Sequence, residues 1–234
     1  MKRRTIGLAL VGTVCMQLAV GQTKNLKTNT DSVSYALGMD VGSSLAGQGI
    51  TIQSESFLKG FNDGLAEHDG LIGREEGIRV IKAAFAKAAE EKAARLKATE
   101  IAFMDSVKNI AGIQSLEEGL YYQVLQEGTG AKPTVEDEVT VHYKGSLTNG
   151  KVFDDSRERG EPLELELSHV IRGWQLGIPL MTVGSKYRLY VPSELGYGER
   201  GAGADIPPYS PLIFDIELIG IKGQEAVSAE SETL

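Results

Sequence analysis

Residues 139–156, VTVHYKGSLTNGKVFDDS, decide the fold of the C-terminal half of the chain. Strand-type residues stand on both sides of Asn149-Gly150, and an Asn-Gly pair between two such runs is a strong signal for a β-hairpin. Similar runs precede and follow this stretch, with turn residues between them, and one short helical segment interrupts them near residues 170–181. The sequence therefore predicts an antiparallel sheet with one small helix, which is an α+β domain.

The N-terminal half predicts helices. A first helix begins near residue 31, with Asp31 or Ser32 as its candidate cap, and a second covers residues 54–68, with Ser54 as its candidate cap. Apolar residues recur at helical spacing in both segments. The residues expected on the buried faces are Val33, Leu37, Val41 and Leu45 in the first helix and Phe57, Leu58, Phe61 and Leu65 in the second.

A third helix is predicted from Arg74 to about Asn109, because this segment has no proline and is rich in alanine, lysine, glutamate and arginine. A helix of about 36 residues at 1.5 Å per residue would be long enough to act as a spacer. Its middle offers little apolar surface, so the three helices together bury too little to be self-sufficient. The prediction is a homodimer through the N-terminal helices, with a monomeric helical extension as the alternative.

The first residues have the pattern of a secretory signal peptide. Lys2, Arg3 and Arg4 precede an apolar run of about 15 residues, shorter than the roughly 20 that span a bilayer. Small residues at Ala19 and Gly21 favour cleavage after Gly21, which predicts a periplasmic protein. The alternative is a membrane-attached lipoprotein through Cys15, although Val14 is not the small residue that such an anchor needs.

Composition narrows the classes of partner. Cys15 is the only cysteine among the 234 residues, so a cleaved chain would contain no disulfide. Cleavage would also remove three of the 24 basic residues, which leaves 21 against 32 acidic ones and a net charge of −11. Because such a surface repels phosphate backbones, we expect no nucleic-acid partner. The polar C-terminal segment, residues 224–234, is expected to be disordered.

Two adjacent carboxylates, Asp154 and Asp155, raise the question of acid–base or metal chemistry. Neighbouring residues in a strand point to opposite faces, so we do not expect this pair to converge on one atom of a substrate. No nearby His, Cys or further acid has the spacing of a metal-ligand set, and no nucleophile motif accompanies the pair. We therefore expect one aspartate to pair with an arginine and the other to be solvated, and neither a metal nor a cofactor is predicted.

A glycine-rich segment, residues 198–205, resembles a dinucleotide-binding loop, but Pro207 and Pro208 follow where that fold needs a helix. A set of aromatic and aliphatic residues remains, and it can be either core or the rim of a hollow, since several stand at strand ends or beside glycine turns. These residues are Tyr143, Phe153, Val170, Ile171, Trp174, Tyr197, Ile206 and Phe214.

The motifs VTVHYKGSLTNGKVFDDS, VIRGWQLGIPLMTVGSK and LGYGERGAGADIPPYSPLIFDIELI occur in the order found in one family. The chain resembles the FKBP-type peptidyl-prolyl isomerases over about residues 117–222. The helical half is similar to the dimerisation domain and stalk of the macrophage-infectivity-potentiator group of secreted bacterial isomerases, through VSYALGMDVG, FLKGFNDGL and the long helix. The resemblance implies a helical dimerisation domain with a stalk helix (22–110) and an isomerase domain (115–223), which stand between the signal peptide (1–21) and the disordered tail (224–234) predicted above.

The resemblance also implies a half-barrel sheet wrapped on a short helix, with a proline pocket between them and no cofactor. It places Trp174 at the floor of the pocket, and the backbone N–H of Ile171 and the hydroxyl of Tyr197 as donors to a rotating carbonyl. Leu163 stands where an aromatic residue is common in the family, and Ala202 and Asp205 also depart from residues found in some members. The implied catalytic residues are Tyr143, Phe153, Asp154, Ile171, Trp174, Tyr197 and Phe214, and the implied substrate-binding residues are Arg159, Leu163, Val170 and Ile206.

The function implied is isomerisation of X–Pro bonds in polypeptide clients during folding of exported proteins, together with chaperone activity and binding of a macrolide inhibitor. Such an enzyme needs no proton transfer, because no bond is made or broken. The alternative is a chaperone or adaptor that recognises proline without significant turnover. A hydrolase that uses Asp154 and Asp155 is a third, weaker interpretation.

Overall fold

The computed structural model describes residues 26–223, so the predicted signal peptide and the predicted disordered tail lie outside the described residues. The chain divides into two compact units, Met1–Gly47 and Gln48–Leu234. In the described part there are five α-helices, α1 (Asn29–Gly47), α2 (Ser54–Leu65), α3 (Arg74–Val107), α4 (Ser156–Arg159) and α5 (Arg172–Gly177). The same residues form seven strands, β1 (Ile113–Ser115), β2 (Tyr121–Gln126), β3 (Glu138–Leu147), β4 (Val152–Asp155), β5 (Leu163–Glu166), β6 (Lys186–Val191) and β7 (Leu212–Ile221).

The strands form one antiparallel sheet in the order β1-β2-β6-β7-β3-β4, with β5 also paired to β3. The hairpin predicted at Asn149-Gly150 is confirmed, because β3 and β4 pair across it and the N–H of Gly150 donates to the carbonyl of Leu147 at 2.9 Å. Gly150 adopts φ 85°, a left-handed conformation that glycine takes without steric cost. The expected α+β fold, a sheet with a short helix, is confirmed.

The short helix α5 lies against the sheet at unusually close range. A Cβ atom added at Gly173 would stand 2.5 Å from Cγ1 of Val191, and one added at Gly177 would stand 2.6 Å from Cδ1 of Leu189. Gly173 and Gly177 are four positions apart and therefore share one face of the helix, while Val191 and Leu189 both belong to β6. The missing side chains let the helix backbone approach β6 and bring its neighbour Trp174 into the core.

The first helix begins two residues earlier than predicted, and the second begins at Ser54 as predicted but ends at Leu65, three residues early; both are capped by residues other than the expected ones. Thr28, rather than Asp31 or Ser32, caps α1, since the N–H of Asp31 donates to Oγ1 of Thr28 and the N–H of Thr28 donates back to a carboxylate oxygen of Asp31. This reciprocal pair is a capping box. Gln53, rather than Ser54, caps α2, because its side-chain oxygen accepts from the N–H groups of Glu55 and Ser56.

The predicted burial of the apolar faces of α1 and α2 is wrong for the single chain. Phe57, Leu58, Phe61 and Leu65 of α2 are 40% to 71% exposed, and Phe57 stacks on Phe61 with ring centroids 6.5 Å apart. In α1, described by itself, Val33, Leu37 and Val41 are also exposed. Helical spacing fixes which residues share a face, but it does not show what covers that face.

The long helix α3 is confirmed, with 34 residues that end two positions before the predicted Asn109. Its middle is mostly exposed, as expected from its alanine and charge content. Its C-terminal end packs on the sheet, where Met104 and Val107 are buried with Tyr190 of β6. No helix in residues 26–223 combines the length and the apolarity that crossing a bilayer requires.

We predict that Gly173→Ala lowers the free energy of unfolding by about 1–3 kcal/mol, because the added methyl overpacks the contact between α5 and Val191. Gly220→Ala in β7 is the matched control, since a Cβ there meets no atom within 4 Å. Urea unfolding followed by circular dichroism measures both changes. Equal midpoints for the two variants would show that α5 has room to move away from β6.

Candidate functional site

The centre of the candidate site is a cluster of aromatic rings around Trp174 of α5. The ring centroid of Tyr143 from β3 lies 5.0 Å from that of the indole, with an angle of 80° between the ring planes. For Phe214 from β7 and the indole, the centroid distance is 5.2 Å and the interplanar angle is 81°. For Phe153 from β4 and Phe214, the corresponding values are 5.7 Å and 85°. These edge-to-face contacts are the preferred geometry for aromatic pairs, so the cluster is rigid and apolar.

Gly145 of β3 makes room for two of these rings, a role that the sequence reasoning missed. A Cβ atom there would stand 2.5 Å from Cε2 and Cζ of Phe153 and 3.0 Å from Cε1 of Phe214. Gly145 faces Asp154 on β4 and Phe214 on β7 in the strand register. A glycine inside a strand is the signal that could have revealed this close approach.

The predicted site residues differ in how far they are buried. Trp174 is only 5% exposed, and its Nε1 has no hydrogen-bond partner in residues 26–223. The side chains of Phe153, Val170 and Ile171 are partly exposed and pack against the same hydrophobic cluster. These three side chains are therefore partly open to solvent, whereas the indole lies beneath the surface.

The structure brings eight of the eleven predicted site residues into one hydrophobic cluster and leaves three outside it. Tyr197 stands apart on the loop after β6 and is 40% exposed, while Asp154 and Arg159 form a polar edge described below. The eight members of the cluster are Tyr143, Phe153, Leu163, Val170, Ile171, Trp174, Ile206 and Phe214.

Asp154 is held at this edge by two donors. The hydroxyl of Tyr143 donates to Oδ2 of Asp154, and a guanidinium nitrogen of Arg159 donates to Oδ1. A second nitrogen of Arg159 donates to the Tyr143 hydroxyl at 3.3 Å, and the guanidinium carbon lies 5.5 Å from the centroid of the Tyr143 ring. Both carboxylate oxygens of Asp154 are thus engaged as acceptors.

Burial, followed by the hydrogen bond to Asp154, raises the pKa of the Tyr143 phenol. The hydrogen bond to Tyr143 raises the pKa of Arg159, which keeps the guanidinium charged. A neutral phenol and a permanent cation therefore face Asp154 across neutral pH. The three side chains therefore do not provide the proton donor and proton acceptor that general acid–base catalysis needs near neutral pH.

Asp155 has a different task. Its carboxylate accepts the N–H of Arg157 at 2.9 Å and caps α4, so the two aspartates diverge as the strand geometry predicted. The expectation that the second aspartate is solvated is wrong, because α4 begins at the next residue and Asp155 caps it. Within residues 26–223 no group of three His, Cys, Asp or Glu side chains is placed to hold a metal ion.

Gln175 and Ser156 are further residues that the sequence reasoning missed. Nε2 of Gln175 donates to the carbonyls of Ser168 and Val170 at 3.1 Å and 3.0 Å. The Val170 carbonyl belongs to the same peptide group as the N–H of Ile171, so Gln175 orients that group. Oγ of Ser156, fully buried, accepts the N–H of Tyr143 at 2.9 Å and fixes β3 to α4.

A family model described as FKBP-type peptidyl-prolyl cis-trans isomerase matches residues 129–219, and one described as the domain amino terminal to it matches residues 30–124. The outer membrane protein MIP of Legionella longbeachae is 38% identical over 232 residues, which cover 95% of this chain and 99% of that protein. The chain belongs to the FKBP-type peptidyl-prolyl cis-trans isomerases.

Other members of the isomerase family show the same range of similarity. The FKBP-type 22 kDa peptidyl-prolyl cis-trans isomerase of Escherichia coli K12 is 37% identical over 203 residues, 85% of this chain and 98% of that protein. The crystal structure of FkpA from Escherichia coli superposes with a TM-score of 0.66 at 34% identity and covers 85% of this isomerase and 99% of that chain. The crystal structure of a peptidyl-prolyl cis-trans isomerase from Pseudomonas syringae has a TM-score of 0.52 at 39% identity, and the match covers 55% of this chain and 94% of that chain.

We predict that Asp154→Ala lowers kcat/KM for a proline peptide about tenfold without abolishing activity, because it loosens Tyr143 but removes no reacting group. Asp105→Ala on the exposed face of α3 is the control and should leave the rate unchanged. A stopped-flow isomerisation assay measures both variants.

The pH profile of the unaltered enzyme is part of the same test. The Tyr143 phenol has a raised pKa, so it remains a neutral donor below pH 10, and the rate should be level from pH 6 to 9 and fall only above about 10. Complete loss of activity in a folded Asp154→Ala, with a wild-type rate that titrates near pH 4, would instead indicate proton chemistry at this carboxylate.

Proposed function

We propose that this isomerase speeds X–Pro rotation by binding the twisted peptide group in the apolar hollow beside Trp174. The observation that carries the proposal is the aromatic cluster itself, closed on one side by the Asp154, Tyr143 and Arg159 network. The proposed catalytic residues remain Tyr143, Phe153, Asp154, Ile171, Trp174, Tyr197 and Phe214, with Arg159, Leu163, Val170 and Ile206 as substrate contacts.

The chemistry needs a change of environment and no bond-making group. Rotation about an amide bond faces a barrier of about 18–20 kcal/mol because resonance must be lost, and uncatalysed X–Pro exchange takes tens to hundreds of seconds. Resonance places negative charge on the carbonyl oxygen, so the planar amide is more polar than the twisted one. An apolar hollow therefore disfavours the planar ground state relative to the twisted state, which is differential binding of the transition state.

Donors to the rotated carbonyl would add to this effect. Among the hydrogen bonds of residues 26–223, none is donated by the backbone N–H of Ile171, while the carbonyl of Ile171 is fixed by the N–H of Trp174 at 2.9 Å. Together with Gln175, this leaves an oriented and unused donor at the rim. A rate factor of 10⁴ needs about 5.5 kcal/mol, which an apolar wall and one or two such donors can supply.

We predict that Phe153→Ala slows catalysis of a proline-limited refolding reaction at least about tenfold, because it opens the apolar wall to water. Leu125→Ala, an exposed apolar residue on β2, is the matched control and should keep the full rate. Trp174→Ala should lose the rate as well, provided that circular dichroism shows it to be folded.

Refolding that is no faster with the unaltered protein than without it would contradict turnover and leave a proline-recognising chaperone or adaptor. Light scattering of an aggregating client measures the proposed chaperone activity separately. Addition of a macrolide inhibitor to the refolding assay tests the proposed binding of that ligand at the same hollow.

We also propose a homodimer through a helical domain (22–110) that precedes the isomerase domain (115–223). The exposed apolar faces of α1 and α2, each described by itself, are the support, since monomeric proteins rarely expose contiguous apolar patches of this kind. The matching amino-terminal family model covers the same helices. A second copy of the chain would bury them.

We predict that the chain from residue 22 sediments at about twice its monomer mass at micromolar concentration. Phe61→Asp should dissociate it, because a charge would enter the apolar contact. Asn62→Asp adds the same charge at the neighbouring position and should leave the mass unchanged. Deletion of residues 22–110 should give a folded monomer, and a monomeric full chain would contradict the dimer.

We propose export with cleavage after Gly21, with attachment of lipid at Cys15 as the alternative. Residues 1–25 lie outside the described part of the chain, so the sequence pattern is the support. The name of the Legionella relative, an outer membrane protein, also fits an exported chain. The intact mass of the protein from the periplasm distinguishes a chain that begins at Gln22 from one that retains Cys15.

A further inference from the structure

The C-terminal part of α3 touches the segment that carries two of the proposed site residues. We call residues 192–209 the Tyr197 loop, and this loop includes Tyr197 and Ile206. Near its end, Nζ of Lys97 lies 4.9 Å from the centroid of the Tyr209 ring. Lys97 also lies 3.6 Å from a carboxylate oxygen of Glu199. Lys97 of the long helix therefore contacts the Tyr197 loop at two residues.

The strongest of these contacts joins Glu100 of α3 to Ser193 at the start of the Tyr197 loop. The N–H of Ser193 donates to Oε1 of Glu100 at 2.5 Å, and the Ser193 hydroxyl donates to Oε2 at 2.8 Å. Ser193 is buried and Glu100 is half-buried. Hydrogen bonds to an ionised acceptor are stronger than neutral ones, and two from one residue also fix orientation.

Ser193 in turn holds the backbone on both sides of Tyr197. Its carbonyl accepts the N–H of Gly196 at 2.9 Å and that of Gly198 at 2.8 Å. The carbonyl of Tyr197 accepts the N–H of Gly201 at 3.1 Å, which continues the same tight turn. Because the Tyr197 side chain is 40% exposed, its position depends on this backbone more than on packing.

We infer that Glu100 is a positioning residue for the isomerase reaction: by holding Ser193, it fixes the turn that carries Tyr197. The inference rests on the donor role proposed above for Tyr197. Glu100 is not among the proposed substrate contacts, and it belongs to the long helix, outside residues 129–219 that match the isomerase family model. In this inference, α3 contributes a positioning residue to the isomerase site.

The expected kinetic effect follows from where the Tyr197 hydroxyl acts. A donor that meets the carbonyl only in the rotated state stabilises the transition state more than the ground state. Loosening this donor should lower kcat and kcat/KM together and leave KM nearly unchanged. A role of Glu100 in stability alone would lower the unfolding midpoint without this kinetic pattern.

A double-mutant cycle tests the inference in the chain from residue 22, with Glu100→Ala, Tyr197→Phe and the two changes combined. We expect Glu100→Ala to lower kcat/KM about fivefold and to have less than about a twofold effect once Tyr197→Phe is present, because both remove the same contribution. Glu90→Ala, an exposed glutamate ten residues earlier on α3, is the matched control and should keep the wild-type rate.

A conservative variant tests the same inference if Glu100→Ala does not fold. Glu100→Gln retains one acceptor for the N–H of Ser193 and should recover more than half of the wild-type kcat/KM. Fluorescence of Trp174, the only tryptophan in the chain, reports whether each variant has an intact aromatic cluster. Wild-type kcat/KM in a folded Glu100→Ala, or independent factors that multiply in the combined variant, would overturn the inference.

One further outcome separates this inference from the proposed function. If Tyr197→Phe keeps the full rate while Phe153→Ala loses it, the hollow remains the active site but Tyr197 is not a donor. The positioning role of Glu100 would then be overturned although the proposed mechanism of the hollow stands. If Phe153→Ala also keeps the full rate, the proposed site itself is wrong.

Discussion

The close approach of α5 to β6 is the constraint on which the rest of the site depends. It exists because Gly173 and Gly177 present no side chains to Val191 and Leu189. A helix at that depth carries Trp174 into contact with rings from two different strands, Tyr143 on β3 and Phe214 on β7. With ordinary side chains on that face, the helix would lie farther out and the indole would lose these edge-to-face contacts.

The polar residues beside the aromatic cluster support the same arrangement. Tyr143 contributes its ring to the aromatic cluster and its hydroxyl to Asp154, so one side chain joins the apolar wall to the charged edge. Arg159 engages both Tyr143 and Asp154, so both carboxylate oxygens of Asp154 accept hydrogen bonds. This is the arrangement that a reaction without bond-making requires, because its catalyst must be preorganised and needs no proton relay.

The C-terminal end and the middle of the long helix lie in different environments. Its C-terminal end is anchored to the sheet through Met104, Val107 and Tyr190, and Glu100 ties it to the Tyr197 loop. Its middle offers alanine and charge to solvent. The apolar faces of α1 and α2, each described by itself, stay exposed in the single chain.

Much of the fold could be predicted from the sequence because local patterns specify it. The Asn149-Gly150 turn, the helix from Arg74 and the strand runs rest on backbone preferences and periodicity that act over a few residues, and the structure confirms them. The divergence of Asp154 and Asp155 also follows from strand geometry alone. The three-residue strand β1 is too short to give a recognisable sequence pattern. The helix caps are Thr28 and Gln53 instead of the predicted residues, because several nearby side chains could accept from the same N–H groups.

Sequence patterns alone specified the family, the alternation of strands and turns, and eight site residues that join one hydrophobic cluster. Only the tertiary structure decided that Trp174 is nearly covered, that Gly145 makes space for Phe153, and that Glu100 meets Ser193 across 93 positions of chain. The reason is that these contacts join elements remote in sequence. No local preference records them, because each exists only when the sheet, α5 and the end of α3 are packed together.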